Sequence, residues 1–394
     1  MEIAIGSQPA HPSDRKEESM IAGVLLTVFA VFTLHYIFFL TRVRLGLTRI
    51  RKEADNGQRP YISVVVAARN EEDRIGACLD SLLHQSYPTD QYEIIVVDDG
   101  SEDLTADLVR ALSKEQHNVR VHSLGIAMNT GFGRKPQAIA EGVSLAKGEI
   151  ICTTDADCVV PQRWIELMVR YLGPDVAFAS GAVVEEPAGP VLATLSNLEY
   201  LGLTTTGAGL IGAGRPITCS GANLAYRKSA FLSALGESPI SSNDDETLMN
   251  RIRLRNLGKI VFVPEPAAVV RTPSSKTIGA FFRQRIRWAG KRGHYEESSI
   301  LVTLVGLYFF FLFFLAAALY IPFEPALALP VGIVFLGKVV TDYFTLRAGA
   351  RMLDQPISSG YFLLAEIMHI PYVVVAAALG QLVSFTWKGR TLRR

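Results

Sequence analysis

The chain has 394 residues, with 39 basic and 38 acidic side chains and seven histidines. A net charge of +1 gives none of the basic surplus that a nucleic-acid-binding chain carries. Apolar residues make up 49% and the mean hydropathy is +0.24, too high for an ordinary soluble enzyme, so the apolar excess has to be located first.

It is unevenly spread. Ile21 to Leu40 is an apolar run uncharged apart from His35, and Ile300 to Ile321 carries no charge at all. Each is long enough to cross a bilayer as a helix, which takes about 20 residues. Two weaker runs follow, Pro325 to Leu346 and Tyr361 to Trp387, the second interrupted at Pro371. Only Arg15 and Lys16 precede the first run, whereas Arg42, Arg44, Arg49, Arg51 and Lys52 follow it. The positive-inside bias predicts an N-terminus outside and the middle of the chain in the cytoplasm, and no small-residue cleavage site marks the run as a signal peptide. One span before that middle and three after it would put the basic tail "WKGRTLRR" outside, against the positive-inside bias, so a re-entrant pair at Pro371 and a weak run that does not span stay open alternatives. Cys78, Cys152, Cys158 and Cys219 lack zinc spacing and fit free thiols in a reducing compartment. Lys338 and Asp342, four apart in the third run, read as a mutually neutralising helix pair.

Between the runs, strand and helix patterns alternate. The stretch from Ile62 to Ala67 predicts a buried strand, and "DRIGACLDSLLHQ" a helix. "YEIIVV" predicts a second strand ending at Asp98-Asp99-Gly100, followed by a helix that Ser101 could cap. "NVRVHSL" predicts a third strand, and "KPQAIAEGVSLAKG" a helix with Gly148 in the stop position. "EIICTT" then delivers Asp155 and Asp157. Val/Ile-rich strands joined by helices predict a parallel α/β sheet covered on both faces, in which ligands bind beyond the carboxyl ends of the strands.

Three strands therefore end in polar clusters that would meet at one edge: Arg69-Asn70-Glu71, Asp98-Asp99 and Asp155-Ala156-Asp157. An Asp-x-Asp at a strand end reads either as a turn or as oxygen ligands for a hard divalent cation. One shared site explains three clusters where turns must be invoked three times, so the metal reading prevails. No Walker lysine and no GxGxxG follows the first strand, which weakens P-loop and dinucleotide readings. Asp244, Asp245 and Glu246 precede an amphipathic helix pattern and read either as dipole-stabilising residues or as part of the site. Further on, Arg283, Arg285, Arg287, Lys291 and Arg292 alternate with Phe281, Phe282, Ile286 and Trp288, a composition suited to a helix at the cytoplasmic membrane surface.

Asp98-Asp99-Gly-Ser, Asp155-Ala-Asp157, Asp244-Asp245 before a helix, and Gln284-x-x-Arg287-Trp288, in that order, resemble the membrane-bound family-2 glycosyltransferases. Cellulose, chitin and hyaluronan synthases and ceramide glucosyltransferase share that order. The resemblance covers about Tyr61 to Tyr295 and implies the GT-A fold, a Rossmann-like mixed sheet with helices on both faces, here joined to transmembrane helices. One departure is that the family's Glu-Asp pair reads Asp244-Asp245; alignment on Leu248 places the catalytic base on Asp245. By the same resemblance Asp155 and Asp157 hold Mg²⁺ or Mn²⁺ against the diphosphate of a sugar nucleotide, with Asp155 touching the substrate as well. Ala67, Arg69, Asn70 and Glu71 line the nucleotide pocket, Asp99 meets a uridine, and Lys135 contacts the nucleotide. Gln284 and Arg287 sit at the donor, with Arg287 on the diphosphate, and Trp288 offers a flat face to the acceptor. "CSGANLAYRK" (residues 219–228) falls near the acceptor or serves the scaffold.

The implied reaction is an inverting, metal-dependent transfer from a UDP-sugar. The small number of spans favours a membrane lipid over a growing glycan as acceptor. An inactive assembly subunit would have lost a catalytic position, and none is lost; a nucleotidyltransferase would need a glycine-rich loop that "AARNEED" does not supply. The expected division is an extracytoplasmic tail (1–19), a transmembrane helix (20–41), a basic linker (42–59), the cytoplasmic GT-A domain (60–275), an amphipathic interface helix (276–298), a C-terminal region of about three spans (299–387) and a basic tail (388–394).

Overall fold

The computed structural model describes residues 12–53, 57, 59–124, 135–186, 191–235, 244–290, 297–382, 385–387 and 390–392, with 12–22, 24, 25, 244, 385–387 and 390–392 described by backbone alone. Lys291 and Arg292 lie outside the described residues.

A long helix α1 (Pro12–Leu47) leads into an alternating α/β region. Its first half runs β1 (Ile62–Ala68), α2 (Ile75–Leu83), β2 (Tyr92–Asp98), α3 (Thr105–Glu115), β3 (Val119–Ser123), α4 (Lys135–Leu145), β4 (Ile150–Asp155) and α5 (Trp164–Arg170). The second half runs β5 (Val176–Ser180), β6 (Val183–Glu186), α6 (Leu192–Gly212), β7 (Leu224–Arg227), α7 (Lys228–Leu235), α8 (Asp244–Leu254), β8 (Lys259–Phe262), β9 (Val270–Pro273) and α9 (Ile278–Ala289). Then come α10 (Ser298–Tyr320), α11 (Ala328–Leu353), α12 (Ser359–Leu382) and a small hairpin, β10 (Phe385–Trp387) with β11 (Arg390–Leu392).

The main sheet has the order β3-β2-β1-β4-β7-β5-β8. The strands up to β4 are parallel, but β7 runs antiparallel to both β4 and β5, so the sheet is mixed as the family resemblance implies and not all-parallel as the strand pattern alone suggests. Both faces are covered. Val64 and Val66 of β1 enter one apolar cluster with α2 and α5, while Val65 enters a second with α4, α6 and α8. Two local expectations are corrected. Ser101 does not cap α3, which begins at Thr105; its hydroxyl accepts from the Asn70 N–H instead. Gly148 lies three residues beyond the end of α4, and its lack of a side chain is needed because a Cβ would come within 2.6 Å of the Ser63 nitrogen on β1.

Among the described residues four helices are long and apolar enough to cross a membrane: Leu26–Leu47, Ser298–Tyr320, Pro325–Leu353 and Ser359–Leu382. Two of them revise the expected boundaries. The helix continues through Arg42 and Arg44, strong helix formers, so the basic linker starts later than residue 42. Helix α12 runs unbroken past Pro371, which removes the re-entrant pair. The four helices share an apolar cluster built on Phe29, Tyr36, Phe310, Phe311, Phe314 and Ile370. The Lys338–Asp342 pair is part of a larger arrangement. Lys338 Nζ lies 2.8 Å from Asp342 Oδ2 and also contacts Glu366 on α12, and the Tyr36 hydroxyl on α1 donates to Asp342 at 2.6 Å. Charges in an apolar bundle persist only when paired, so this cluster fixes the mutual rotation of three helices.

Helix α6 has no counterpart among the elements expected from the sequence pattern. It joins the bundle to the α/β domain by close backbone contact with α1: a Cβ on Gly46 would lie 1.7 Å from the Gly209 carbonyl oxygen, and one on Gly212 would lie 2.2 Å from the Gly46 oxygen. Gly46→Ala is expected to cost about 1–3 kcal/mol of stability, read as a lowered unfolding midpoint of the solubilised protein.

Candidate active site

The register makes the carboxyl ends of the parallel strands level: Ala68 of β1 faces Asp98 of β2, and Ala67 faces Asp155 of β4. The antiparallel strand β7 pairs Leu224 with Thr153, so the segment entering it arrives at the same edge. Ser180 and Phe262, ending β5 and β8, are level with Leu224 and with each other. Six strands thus deliver their terminal or flanking residues to one cavity of about 410 Å³.

Of the residues singled out by sequence, Ala67, Arg69, Glu71, Asp99, Lys135, Asp155, Asp157, Asp245, Gln284, Arg287 and Trp288 line that cavity. Asn70 does not. It holds a left-handed backbone (φ 48°) and its side-chain oxygen accepts from the Glu102 N–H at 2.9 Å, so it ties the loop after β1 to the loop after β2. Arg69 has a partly structural duty as well. It is buried, and one guanidinium nitrogen donates to the carbonyls of Asp99 (2.7 Å) and Gly100 (3.0 Å), which sets the loop that presents Asp99.

Asp155 and Asp157 offer carboxylate oxygens that lie, with the Cys158 sulfur, within 4.8 Å of one another. The thiol is buried, and burial together with the neighbouring aspartates pushes its pKa up, so it stays protonated. It donates to Asp157 Oδ1 at 3.6 Å. What remains is a pair of hard oxygen donors at a strand end, which suits Mg²⁺ or Mn²⁺ and not a thiophilic metal. Lys135, the first residue of α4, places Nζ 2.6 Å from Asp155 Oδ1, so its partner is a carboxylate of the candidate metal pair. Burial lowers the pKa of Arg287, while Asp155 and Asp157 oppose the shift; the guanidinium faces both carboxylates and stays charged.

Asp245 stands in the first turn of α8. Its Oδ2 accepts from the Gly221 N–H at 2.8 Å and its Oδ1 from the Glu246 N–H at 3.0 Å. A Cβ on Gly221 would meet Asp245 Oδ2 at 3.3 Å and Lys135 Nζ at 3.4 Å, so this glycine lies where the two halves of the site approach. The "CSGANLAYRK" segment divides by role. Cys219 to Ala222 line the cavity, whereas buried Asn223 bonds Ala182 O, Ala268 O and the Trp164 indole to support the floor.

Sequence reasoning missed α6, which supplies Tyr200, Leu203, Thr204, Gly207 and Ala208 to the cavity wall. Its small and apolar residues show no polar face, and that even composition is the only signal it carries. Arg285 and Arg287 are also placed differently from the membrane-surface expectation: both are turned into the protein, and Arg283 alone of the three arginines on α9 is exposed. Arg285 donates to Glu199 of α6 at 2.6 Å, lies 3.4 Å from Glu185, and stacks 4.4 Å from the Trp288 ring. The Tyr372 hydroxyl of α12 donates to the other Glu199 oxygen at 2.6 Å. Trp288 is packed edge-on against Tyr200 at 5.8 Å. A chain of contacts thus runs from α12 through Glu199 and Arg285 to the tryptophan at the cavity. Arg285→Met is expected to destabilise the protein by about 3 kcal/mol, near the lower end for a broken buried pair because Glu185 can take up a proton. Burial already holds that carboxyl above its ordinary value. Thermal unfolding of the solubilised variant measures the loss.

Residues 63–233 match the family described as Glycosyl transferase family 2, and residues 150–346, half of the chain, match Glycosyl transferase family group 2. The chain belongs to the family-2 glycosyltransferases. It is 31% identical over 277 residues to YdaM of Bacillus subtilis (strain 168), named a probable glycosyltransferase, a match covering 65% of this chain. It is 26% identical over 283 residues, 69% of this chain, to a poly-beta-1,6-N-acetyl-D-glucosamine synthase of Staphylococcus aureus. The chain spans 63% of the length of each of these relatives. Among solved structures, the mannosyltransferase PcManGT from Pyrobaculum calidifontis, in complex with GDP-Man and Mn²⁺, superposes with a TM-score of 0.57 at 21% identity, covering 91% of this chain and 98% of that one. That likeness is one of fold, and the fold is GT-A.

Proposed function

We propose that this membrane protein transfers a sugar from a nucleoside diphosphate donor to a hydroxyl of a membrane lipid, with inversion at the anomeric carbon. One observation carries the reading: a single cavity holds a carboxylate pair beside Arg287 and Lys135, and also Asp245 across Gly221 from that pair. The first group suits a diphosphate and the second an attacking hydroxyl.

Asp99, Ala67 and Glu71 form the nucleotide end. The planar Arg287 guanidinium takes two diphosphate oxygens, and Lys135, now paired with Asp155, turns toward the phosphates as the donor arrives. Asp155 and Asp157 would hold Mg²⁺ or Mn²⁺, which would supply positive charge to offset that of the leaving diphosphate. Asp245, oriented by the Gly221 N–H, takes the proton of the acceptor hydroxyl. The hydroxyl oxygen bonds to the anomeric carbon from the face opposite the diphosphate, and the electron pair of the broken C–O bond leaves on the diphosphate. Trp288, held by Arg285 and Tyr200, gives the acceptor a flat wall.

The lipid acceptor rests on α6. One side of that helix lines the cavity, and its other side packs on α1, α11 and α12, so the acceptor end of the site borders the membrane helices. The basic residues after the first span favour a cytoplasmic catalytic domain. A processive polysaccharide synthase is the second reading, favoured by the relatives named poly-beta-1,6-N-acetyl-D-glucosamine synthase. Uridine is the donor base that the motif resemblance implies, while the mannosyltransferase of the same fold holds GDP-Man. The test is product analysis: membranes expressing the chain are given Mn²⁺ or Mg²⁺ and a panel of radiolabelled UDP- and GDP-sugars. Label in one discrete organic-soluble lipid is the expected result. Label in high-molecular-weight material establishes the synthase instead, and label in neither product fraction, at the level of Asp245→Asn membranes, overturns glycosyl transfer.

A further inference from the structure

Away from the active site there is a second hollow of about 240 Å³, where α1, the segment after α6, the end of α8 and the start of α10 meet. Its two walls differ in chemistry. Phe38 and Phe39 of α1 and Ile300 of α10 belong to, or directly adjoin, membrane-spanning stretches and make one wall apolar. Arg42, Arg215 and Arg253 make the other.

The charges there do not cancel. Arg215 and Arg253 converge on one carboxylate, Glu297, the former at 3.4 Å. Arg42 lies one turn beyond Phe38, with its guanidinium 5.8 Å from that ring. Among the described residues three guanidiniums face a single acid, an excess of two positive charges at the end of an apolar wall. In addition, Arg253 Nε is buried with no hydrogen-bond partner among the described residues, an N–H of the kind that an anionic oxygen would satisfy. A soluble anion would have no use for the aromatic wall, and an apolar ligand none for the arginines. A membrane lipid with a phosphate headgroup matches both, with acyl chains along α1 and α10 and the phosphate on the guanidiniums.

We propose that this hollow binds the phosphate headgroup of an anionic glycerophospholipid from the bilayer, at a site separate from donor and acceptor. The bound lipid braces α8, whose first turn carries Asp245, against α1 through Arg253 and Arg42.

The experiment uses the full chain in a neutral detergent and reads thermal unfolding on titration with phosphatidylglycerol or phosphatidylcholine, with native mass spectrometry counting bound lipids. Neither readout depends on glycosyl transfer, so failure here and failure of the functional reading are distinguishable. Phosphatidylglycerol is expected to raise the midpoint by several degrees, and phosphatidylcholine is not. Arg42→Gln and Arg215→Gln should each weaken the apparent lipid affinity at least tenfold. Arg49→Gln, at an exposed arginine of the same membrane face outside the hollow, should leave it unchanged. Arg42→Gln removes no ion pair among the described residues, so it remains informative if Arg215→Gln fails to fold. Equal shifts from both lipids, or equal loss in Arg49→Gln, overturn the proposal. A shift reproduced by inorganic phosphate at the same concentration also overturns it, by making the ligand a free anion.

Discussion

Asp245→Asn abolishes measurable transfer, lowering the rate by about a hundred- to ten-thousand-fold, while nucleotide binding stays as in the parent protein. The asymmetry follows from where the carboxylate sits. Asp245 is bonded to the Gly221 and Glu246 backbone N–H groups, on the far side of Gly221 from the Lys135–Asp155 pair. Asparagine has nearly the same shape and keeps one of the two hydrogen bonds through its single side-chain oxygen, and α8, anchored by buried Leu248, Met249 and Ile252, keeps its position. Asparagine cannot take a proton. Turnover with radiolabelled donor and calorimetric titration of the nucleotide separate the two properties. Retained turnover removes Asp245 from the role of base and turns attention to Glu246, which lines the same cavity but is engaged by the Thr218 hydroxyl at 2.7 Å. Lost nucleotide binding in a folded variant would place Asp245 at the donor instead.

The residues that are legible in the sequence share one property: a strong local pattern forces their position. The Ile62–Ala67, "YEIIVV" and "EIICTT" runs are apolar or uncharged at nearly every position, which suits a strand buried on both faces, and the charges that end them have nowhere to go but the sheet edge. Asp99, Asp155 and Asp157 are therefore predictable as neighbours from the residue pattern alone. Other features depend on partners distant in sequence. The four residues of β7 carry no signal of direction, and its antiparallel insertion between β4 and β5 is decided by the sheet around it. Helix α6 is hidden because it is enclosed by the domain and by α1, α11 and α12, leaving no polar face to generate a period. Arg285 reads, with its neighbours, as a surface cation, since nothing in "FFRQRIRW" reveals that Glu185 and Glu199 wait for it. Asn70 shows a different limit of pattern reading. Its place in a polar cluster at a strand end suggests ligand contact, yet its backbone conformation makes it a turn residue.

Asp157→Ala removes the metal response of nucleotide binding without removing nucleotide binding. In the parent protein, Mn²⁺ should tighten UDP or GDP binding strongly, because an ion that Asp155 and Asp157 would hold would offset the charge of the diphosphate. Loss of one of two carboxylate ligands should weaken that enhancement by at least about tenfold, since even groups behind the ligands of metal sites are worth ~10–100-fold in metal affinity. The behaviour without metal goes the other way. A carboxylate facing a diphosphate is repulsive when no cation stands between them, and Arg287 is already opposed to both aspartates. Deleting Asp157 frees more of that guanidinium's field for the phosphates, so with chelator present the variant should bind nucleotide as well as the parent, or better. Calorimetric titrations with Mn²⁺ and with chelator give both comparisons on one preparation. An unchanged metal enhancement would return Asp155-Ala-Asp157 to the status of a turn. Equal loss in both conditions would mean that Asp157 shapes the pocket and does not carry an ion. A crossover, with the parent ahead in Mn²⁺ and the variant level or ahead in chelator, is produced only by a carboxylate whose contact with the diphosphate runs through a cation.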